Sequence, residues 1–204
     1  MDRRSLIKTM AAMPLVAGIA SAAAQEPRSI IRARRLRKGM TIGLVSPASN
    51  VAEDEDIAFA RDVVTSLGFH VKPAKHLYHR DQYLAGSDQQ RADDLNAMFA
   101  DPEVDAIFCL RGGYGSSRLL PLLDYKNIAV NPKVLMGYSD ITALLCAIHQ
   151  RTGLVTFHGP IVGDNFSDYS YSQFKRTLVS AKKGQSLAAP PPFDDPAPGR
   201  VEKE

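Results

Sequence analysis

Two segments that are apolar without alternation limit this chain more than anything else in it. "VDAIFCLR" (104–111) and "KVLMG" (133–137) each hold an unbroken apolar stretch. A strand with one wet face alternates polar and apolar residues, so an unbroken run belongs to a strand covered on both faces, as in a parallel sheet. Helix-like pieces separate such runs. "EDEDIAFARDVVTSLG" has an acidic first turn, then Ile57, Ala60, Val63, Val64 and Leu67 on one face, and Gly68 as its stop. "SDQQRADDLNAMFA" reads as a capped helix beginning near Ser87, with Leu95, Met98 and Phe99 inward. With "TIGLVSPAS", "FHVKPA", "DITALLCAIHQRTG" and "LVTFHGP" they form a βαβα series. The expectation is an α/β fold with a doubly wound, mostly parallel sheet of the flavodoxin or Rossmann kind.

The flanks read differently. Residues 1–24 begin with paired Arg3 and Arg4, continue through an apolar stretch at 10–20, and finish in Ala22, Ala23 and Ala24. That is an export signal, and "RRSLIK" resembles the twin-arginine type, so a periplasmic location is expected. The apolar part is shorter than the ~20 residues that span a bilayer, so no stable membrane anchor is expected after cleavage. Cleavage would remove a net charge of +2 and take the chain from +3 to +1. A basic leader follows at 25–38, with Arg28, Arg32, Arg34, Arg35, Arg37 and Lys38. It reads as a solvated linker; nothing else is strongly basic, and no nucleic-acid partner is expected. The domain itself is expected over 39–185, with "YSQFKRTLVSAKKG" as one more helix. Residues 186–204 are proline-rich and charged and read as a linker or disordered tail. Cys109 and Cys146 both sit in apolar runs; they read as buried thiols without metal-ligand spacing, and no metal or cofactor is expected.

Ligands of an open α/β sheet sit beyond the carboxyl ends of its strands. Four strand-end loops therefore matter: "SPAS" (46–49), "RGGYGSSR" (111–118), "GYSD" (137–140) and "HGP" (158–160). In GYSD, Ser139 stands where a core strand turns into a helix. A serine on such a corner projects its hydroxyl outward, while the amide of Asp140 at the helix start can hold a developing oxyanion. The second glycine of G-x-S-x-G is replaced by Ile141, and simple helix capping by Ser139 is the competing reading. Paired glycines in RGGYG let backbone amides approach an anion, whether an oxyanion or a phosphate held with Arg111 and Arg118, or else merely turn the chain. The candidate substrate contacts on these loops are Ser46, Gly112, Tyr114, Tyr138 and His158.

"YLAGSDQQRADDLNAMFADPEVDAIFCLRGGYGSSRLLPLLDY" followed by "LMGYSDITALLCAIHQRTGLVTFHGP" resembles the LD-carboxypeptidase family of serine peptidases (S66), which includes the microcin C immunity peptidase. The resemblance runs from about 38 to 165 and carries the family's motifs in order. It implies the family's N-terminal domain, of the class I glutamine amidotransferase-like kind. Ser139 would be the nucleophile, with backbone amides of Gly113 and Asp140 as the oxyanion hole. It also implies release of a terminal D-amino acid, typically D-alanine, from murein tetrapeptides, no cofactor, and a homodimer.

A serine hydroxyl needs a base. In the family this is a histidine, paired with a glutamate, in a second, C-terminal domain that would follow the proline-rich segment. His149 lies ten positions along the helix from Ser139, roughly 15 Å away at ~1.5 Å per residue, which is out of reach. His158 ends the next strand and reads as a pocket or turn residue; Glu202 and Glu204 fall in the tail. The chain is therefore expected to be a fragment carrying the nucleophile half. The alternative is a catalytically inactive, muropeptide-binding or partner-dependent half.

Overall fold

The fold is a computed structural model that describes residues 29–160, 167–187 and 189. The expected signal at 1–24, the first part of the leader and most of the tail, with Glu202 and Glu204, lie outside the described residues. Five strands, β1 (Thr41–Val45), β2 (His70–Pro73), β3 (Ala106–Cys109), β4 (Val134–Gly137) and β5 (Phe157–His158), form one sheet in the order β2-β1-β3-β4-β5. Every pairing is parallel. β3 and β4 are buried along their whole length, as their unbroken apolar runs require.

The helices are α1 (Asp54–Ser66), α2 (Asp88–Ala100), α3 (Tyr125–Val130), α4 (Thr142–Thr152) and α5 (Asp168–Phe174). α2 starts where expected: Ser87 Oγ accepts from the Gln90 amide (3.2 Å) and Gln90 Oε1 accepts from the Ser87 amide (3.0 Å). At its other end, Lys133 Nζ donates to the carbonyls of Met98 (2.7 Å) and Asp101, which α2 leaves without intrahelical partners. α2 packs on the face shared by Gly43 and its register partner Ile107, since a Cβ at Gly43 would stand 2.6 Å from Met98 Sδ. Phe108 points to the opposite face, where its ring meets Phe174 of α5 edge-on with centroids 6.0 Å apart. Helices thus cover both sides, and the doubly wound expectation holds. Strand order 2-1-3-4-5 reverses its winding between β1 and β3, and the crevice at that reversal is where such sheets bind ligands.

Three local features differ from expectation. The RGGYG loop, expected to open toward a helix, leads instead into a 3-10 run (Ser116–Leu122) containing Pro121, which lacks an amide donor and disrupts an α-helix interior. β5 is only two residues long; Leu154, expected within it, bridges to Ile31 instead. The leader is accordingly not a free linker. The Ile31 amide donates to Gly153 O (2.9 Å), the Val155 amide to Ile31 O (2.8 Å), and the Leu36 amide to Leu178 O (2.9 Å), with Leu36 buried.

Candidate active site

β4 ends at Gly137, and two residues later the chain turns sharply. Ser139 has φ +58°, in the left-handed region, where a residue bearing a Cβ costs about 1–2 kcal/mol. A 3-10 turn (Ser139–Ile141) then runs into α4. Gly137 and Ile141, two positions away on either side, are buried and Tyr138 and Asp140 are half-buried, but Ser139 is exposed. Neither the turn nor α4 begins with a side-chain cap bond, so the hydroxyl is not spent on helix capping. This is the strand–elbow–helix geometry of a serine nucleophile.

The glycine loop after β3 lies directly against this corner. A Cβ on Gly112 would stand 3.0 Å from Ser139 Cβ and 3.3 Å from its Oγ, so a side chain there would press on the serine. Gly113 follows with φ +104°, and a Cβ on it would stand 2.3 Å from Ser49 Oγ. Ser49, from the loop after β1, brackets the glycine: its amide donates to Gly112 O (3.1 Å) and its Oγ accepts from the Tyr114 amide (3.1 Å). Ser46 is buried and its hydroxyl donates to Ser49 O (3.0 Å). Expected as a substrate contact, Ser46 instead holds the loop that holds the glycines.

Asp140 ties the corner to the other end of the glycine loop. Its Oδ2 accepts from the Ser116 amide (2.8 Å), and its carbonyl accepts from Ser116 Oγ (2.5 Å). The amide of Asp140 belongs to the first turn of the helical run, where amides have no intrahelical acceptor and the dipole favours negative charge.

Arg91 joins the remaining loops. Only 1% exposed, it donates from Nε to Gly86 O (3.2 Å) and from Nη1 to Pro47 O (2.7 Å) and Gly115 O (3.1 Å). Its other nitrogen pairs with Asp88, which Arg118 also holds at 2.8 Å. Burial pulls the Arg91 pKa below its ordinary value, and Asp88 opposes that pull. Sequence reasoning placed neither Arg91 nor Ser49 in the site, although both lie in motifs it singled out. The arginines proposed to hold phosphate are committed elsewhere, Arg118 to Asp88 and Arg111 through Nη1 to Asn50 O (2.8 Å).

Around this centre, Tyr114 is 72% exposed and meets Tyr83 edge-on, with centroids 6.4 Å apart. Tyr138 meets His158 similarly at 6.2 Å, and His158 pairs in register with Gly137. Tyr138 and His158 therefore lie beside the Ser139 corner, at the ends of β4 and β5, and Tyr114 stands on the glycine loop after β3. His149 is turned away, with Nδ1 2.9 Å from Leu154 O. Cys109 is buried, its thiol pushed up to about 12, but Cys146 is exposed, contrary to expectation. Among the described residues no cluster of histidine, cysteine and carboxylate could hold a metal.

The LD-carboxypeptidase N-terminal domain model matches residues 42–159. The chain belongs to the LD-carboxypeptidase family. It is 38% identical over 180 residues to a probable murein peptide carboxypeptidase of Bacillus subtilis, covering 84% of this chain and 54% of that protein. A murein tetrapeptide carboxypeptidase of Pseudomonas aeruginosa is 43% identical over 122 residues, covering 59% and 39%. Among solved structures, a microcin C7 self-immunity protein in complex with aspartyl sulfamoyl adenosine superposes with TM-score 0.71 at 34% identity, covering 75% of this chain and 48% of that one. The chain spans about half the length of the family members it matches.

Proposed function

We propose that this chain supplies the nucleophile domain of a serine-type LD-carboxypeptidase that releases a terminal D-amino acid from murein tetrapeptides. One observation carries the reading: an exposed serine in left-handed conformation at a strand–helix corner, with Gly112 packed against its side chain. Ser139 Oγ attacks the carbonyl carbon of the amide between an L-centre and the terminal D-residue. Negative charge gathers on the carbonyl oxygen, where the amides of Gly113 and Asp140 receive it. The base that took the serine's proton hands it to the leaving nitrogen as the C–N bond breaks, the D-amino acid departs as its free amine, and the acyl group stays on Ser139 until water releases it. The proton of Ser139 goes to a base that we place, with the family, outside the described residues. Such arrangements lose on the order of 10²–10³ in rate when one oxyanion donor is removed.

Tyr114, Tyr138 and His158 would border the peptide, and Gly112 gives it access to the serine. The signal-like sequence at 1–24 supports export to the periplasm, where the wall would supply this substrate, and family resemblance supports a homodimer. The test is D-alanine release from a murein tetrapeptide by the protein carrying this domain. Release supports the reading; tight muropeptide binding without release would favour the inactive, binding half.

A further inference from the structure

Two serines from different loops meet the glycine loop from its two sides. The sheet order sets β3 between β1 and β4. The loop after β3 therefore runs between Ser49, on the loop after β1, and Ser139, past the end of β4. Ser139 lies against Gly112, and Ser49, itself buried, lies against Gly113.

Ser49 grips two successive peptide units. Its amide donates to Gly112 O (3.1 Å), the oxygen of the unit that joins Gly112 to Gly113. Its Oγ accepts from the Tyr114 amide (3.1 Å), in the unit that joins Gly113 to Tyr114. A trans peptide is planar and directs its C=O and N–H to opposite sides, and no cis bond occurs among the described residues. With Gly112 O turned toward Ser49, the Gly113 N–H points away from it, to the side where β4 and Ser139 stand. That amide has no acceptor among the described residues, whereas the amides of Tyr114 and Ser116 beside it each have one. Ser46 Oγ steadies the clamp by donating to Ser49 O (3.0 Å). The loop's far end is held separately, Gly115 O by Arg91 and the Ser116 amide by Asp140.

We propose that Ser49 is a positioning residue: it fixes the plane of the Gly112–Gly113 peptide so that the Gly113 amide faces the oxygen of the bond attacked by Ser139. A donor held in advance stabilises developing charge without having to turn during the reaction. The inference rests on the proposed nucleophile and donor, and adds what aims the donor. The backbone half of the grip survives a change of side chain; the hydroxyl half does not. Without Oγ the Tyr114 amide loses its partner, and the Gly113 residue loses one of its two restraints.

The experiment compares Ser49→Ala with wild type, in the protein carrying this domain, by D-alanine release from a murein tetrapeptide. kcat should fall by about 10- to 100-fold, less than the ~10²–10³ for outright loss of a donor, with KM within about twofold. A second readout needs no murein: a fluorophosphonate places its phosphonyl oxygen in the same hole while Ser139 Oγ displaces fluoride. Phosphonylation of Ser139, followed by intact mass, should slow by the same factor. Thr152→Ala is the structural control, deleting another buried hydroxyl, bonded to Ile148 O (2.7 Å) at the far end of α4. It should leave both rates within about twofold of wild type. Far-UV circular dichroism shows whether the variants fold. Should Ser49→Ala not fold, Ser46→Ala loosens the same clamp and should slow both reactions by at least about threefold. Smaller slowing by the folded variant, a raised KM at unchanged kcat, or equal slowing by Thr152→Ala overturns the proposal. Phosphonylation that depends on Ser49 without any D-alanine release would count against the proposed hydrolysis and leave Ser49 assigned. A wild type inert in both assays overturns this inference together with the reading beneath it.

Discussion

Replacing Arg91 with methionine should unfold the domain far more readily than an ordinary helix substitution. Methionine keeps an unbranched apolar stem but removes the guanidinium. Lost with it are donors to the carbonyls of Pro47 (2.7 Å), Gly86 (3.2 Å) and Gly115 (3.1 Å). Three charge-assisted bonds at about 1.5–3 kcal/mol each would sum to more than 4 kcal/mol. Releasing the guanidinium from its buried site offsets part of that, and breaking one side of a buried ionic network typically costs ~3–5 kcal/mol. Asp88 retains Arg118 at 2.8 Å, so no carboxylate is orphaned, which argues for the lower end, about 3 kcal/mol. With a urea slope of about 2 kcal/mol/M, the midpoint should fall by ~1.5 M. Equilibrium urea unfolding followed by far-UV circular dichroism measures it. A fall below ~0.5 M would refute the claim that this arginine holds the three loops together.

Other positions give sharper contrasts. Ser139→Gly should stabilise the domain by about 1 kcal/mol relative to Ser139→Ala, because glycine relieves φ +58° and alanine does not; equal urea midpoints would contradict the strained corner. Gly113→Ala would set a Cβ 2.3 Å from Ser49 Oγ at φ +104°, so D-alanine release should drop by ~10²–10³ as the amide shifts; a change under tenfold would contradict the assigned donor. A thiol reagent at pH 8 should modify Cys146 rapidly and Cys109 only after unfolding, counted by intact mass. Because folding raises the Cys109 pKa from 9.0 to about 12, its contribution to stability is complete below pH 9. That contribution is lost as pH rises toward 12, so the urea midpoint should fall over this interval.

Much of the scaffold was legible because the strongest signals were local. The unbroken runs of β3 and β4 declared strands covered on both faces, and Ser87 with Gln90 marked the start of α2. The corner at Ser139 was readable as a place, but its meaning waited on the backbone angle and the missing cap bond. Arg91 stayed hidden because an arginine in a polar helix reads as solvent-facing, and its carbonyl partners come from loops distant in sequence. Ser49 looked like turn residue chemistry; only the close approach of Gly113 shows what it holds. α4 is apolar over much of its surface, so the pattern did not reveal that Cys146 faces out. The leader's docking rests on Ile31, Ala33 and Leu36 spaced among charged neighbours, too sparse a signal to set against so many arginines.

The central claim concerns one hydroxyl. Steady-state D-alanine release from a murein tetrapeptide should be compared for the protein carrying this domain and for its Ser139→Ala variant, alongside intact-mass analysis for an acyl group on residue 139. The account predicts a loss of roughly 10⁴–10⁶ in kcat and an adduct confined to the wild type. A variant that keeps a tenth of the rate, or an acyl group found on another residue, contradicts it.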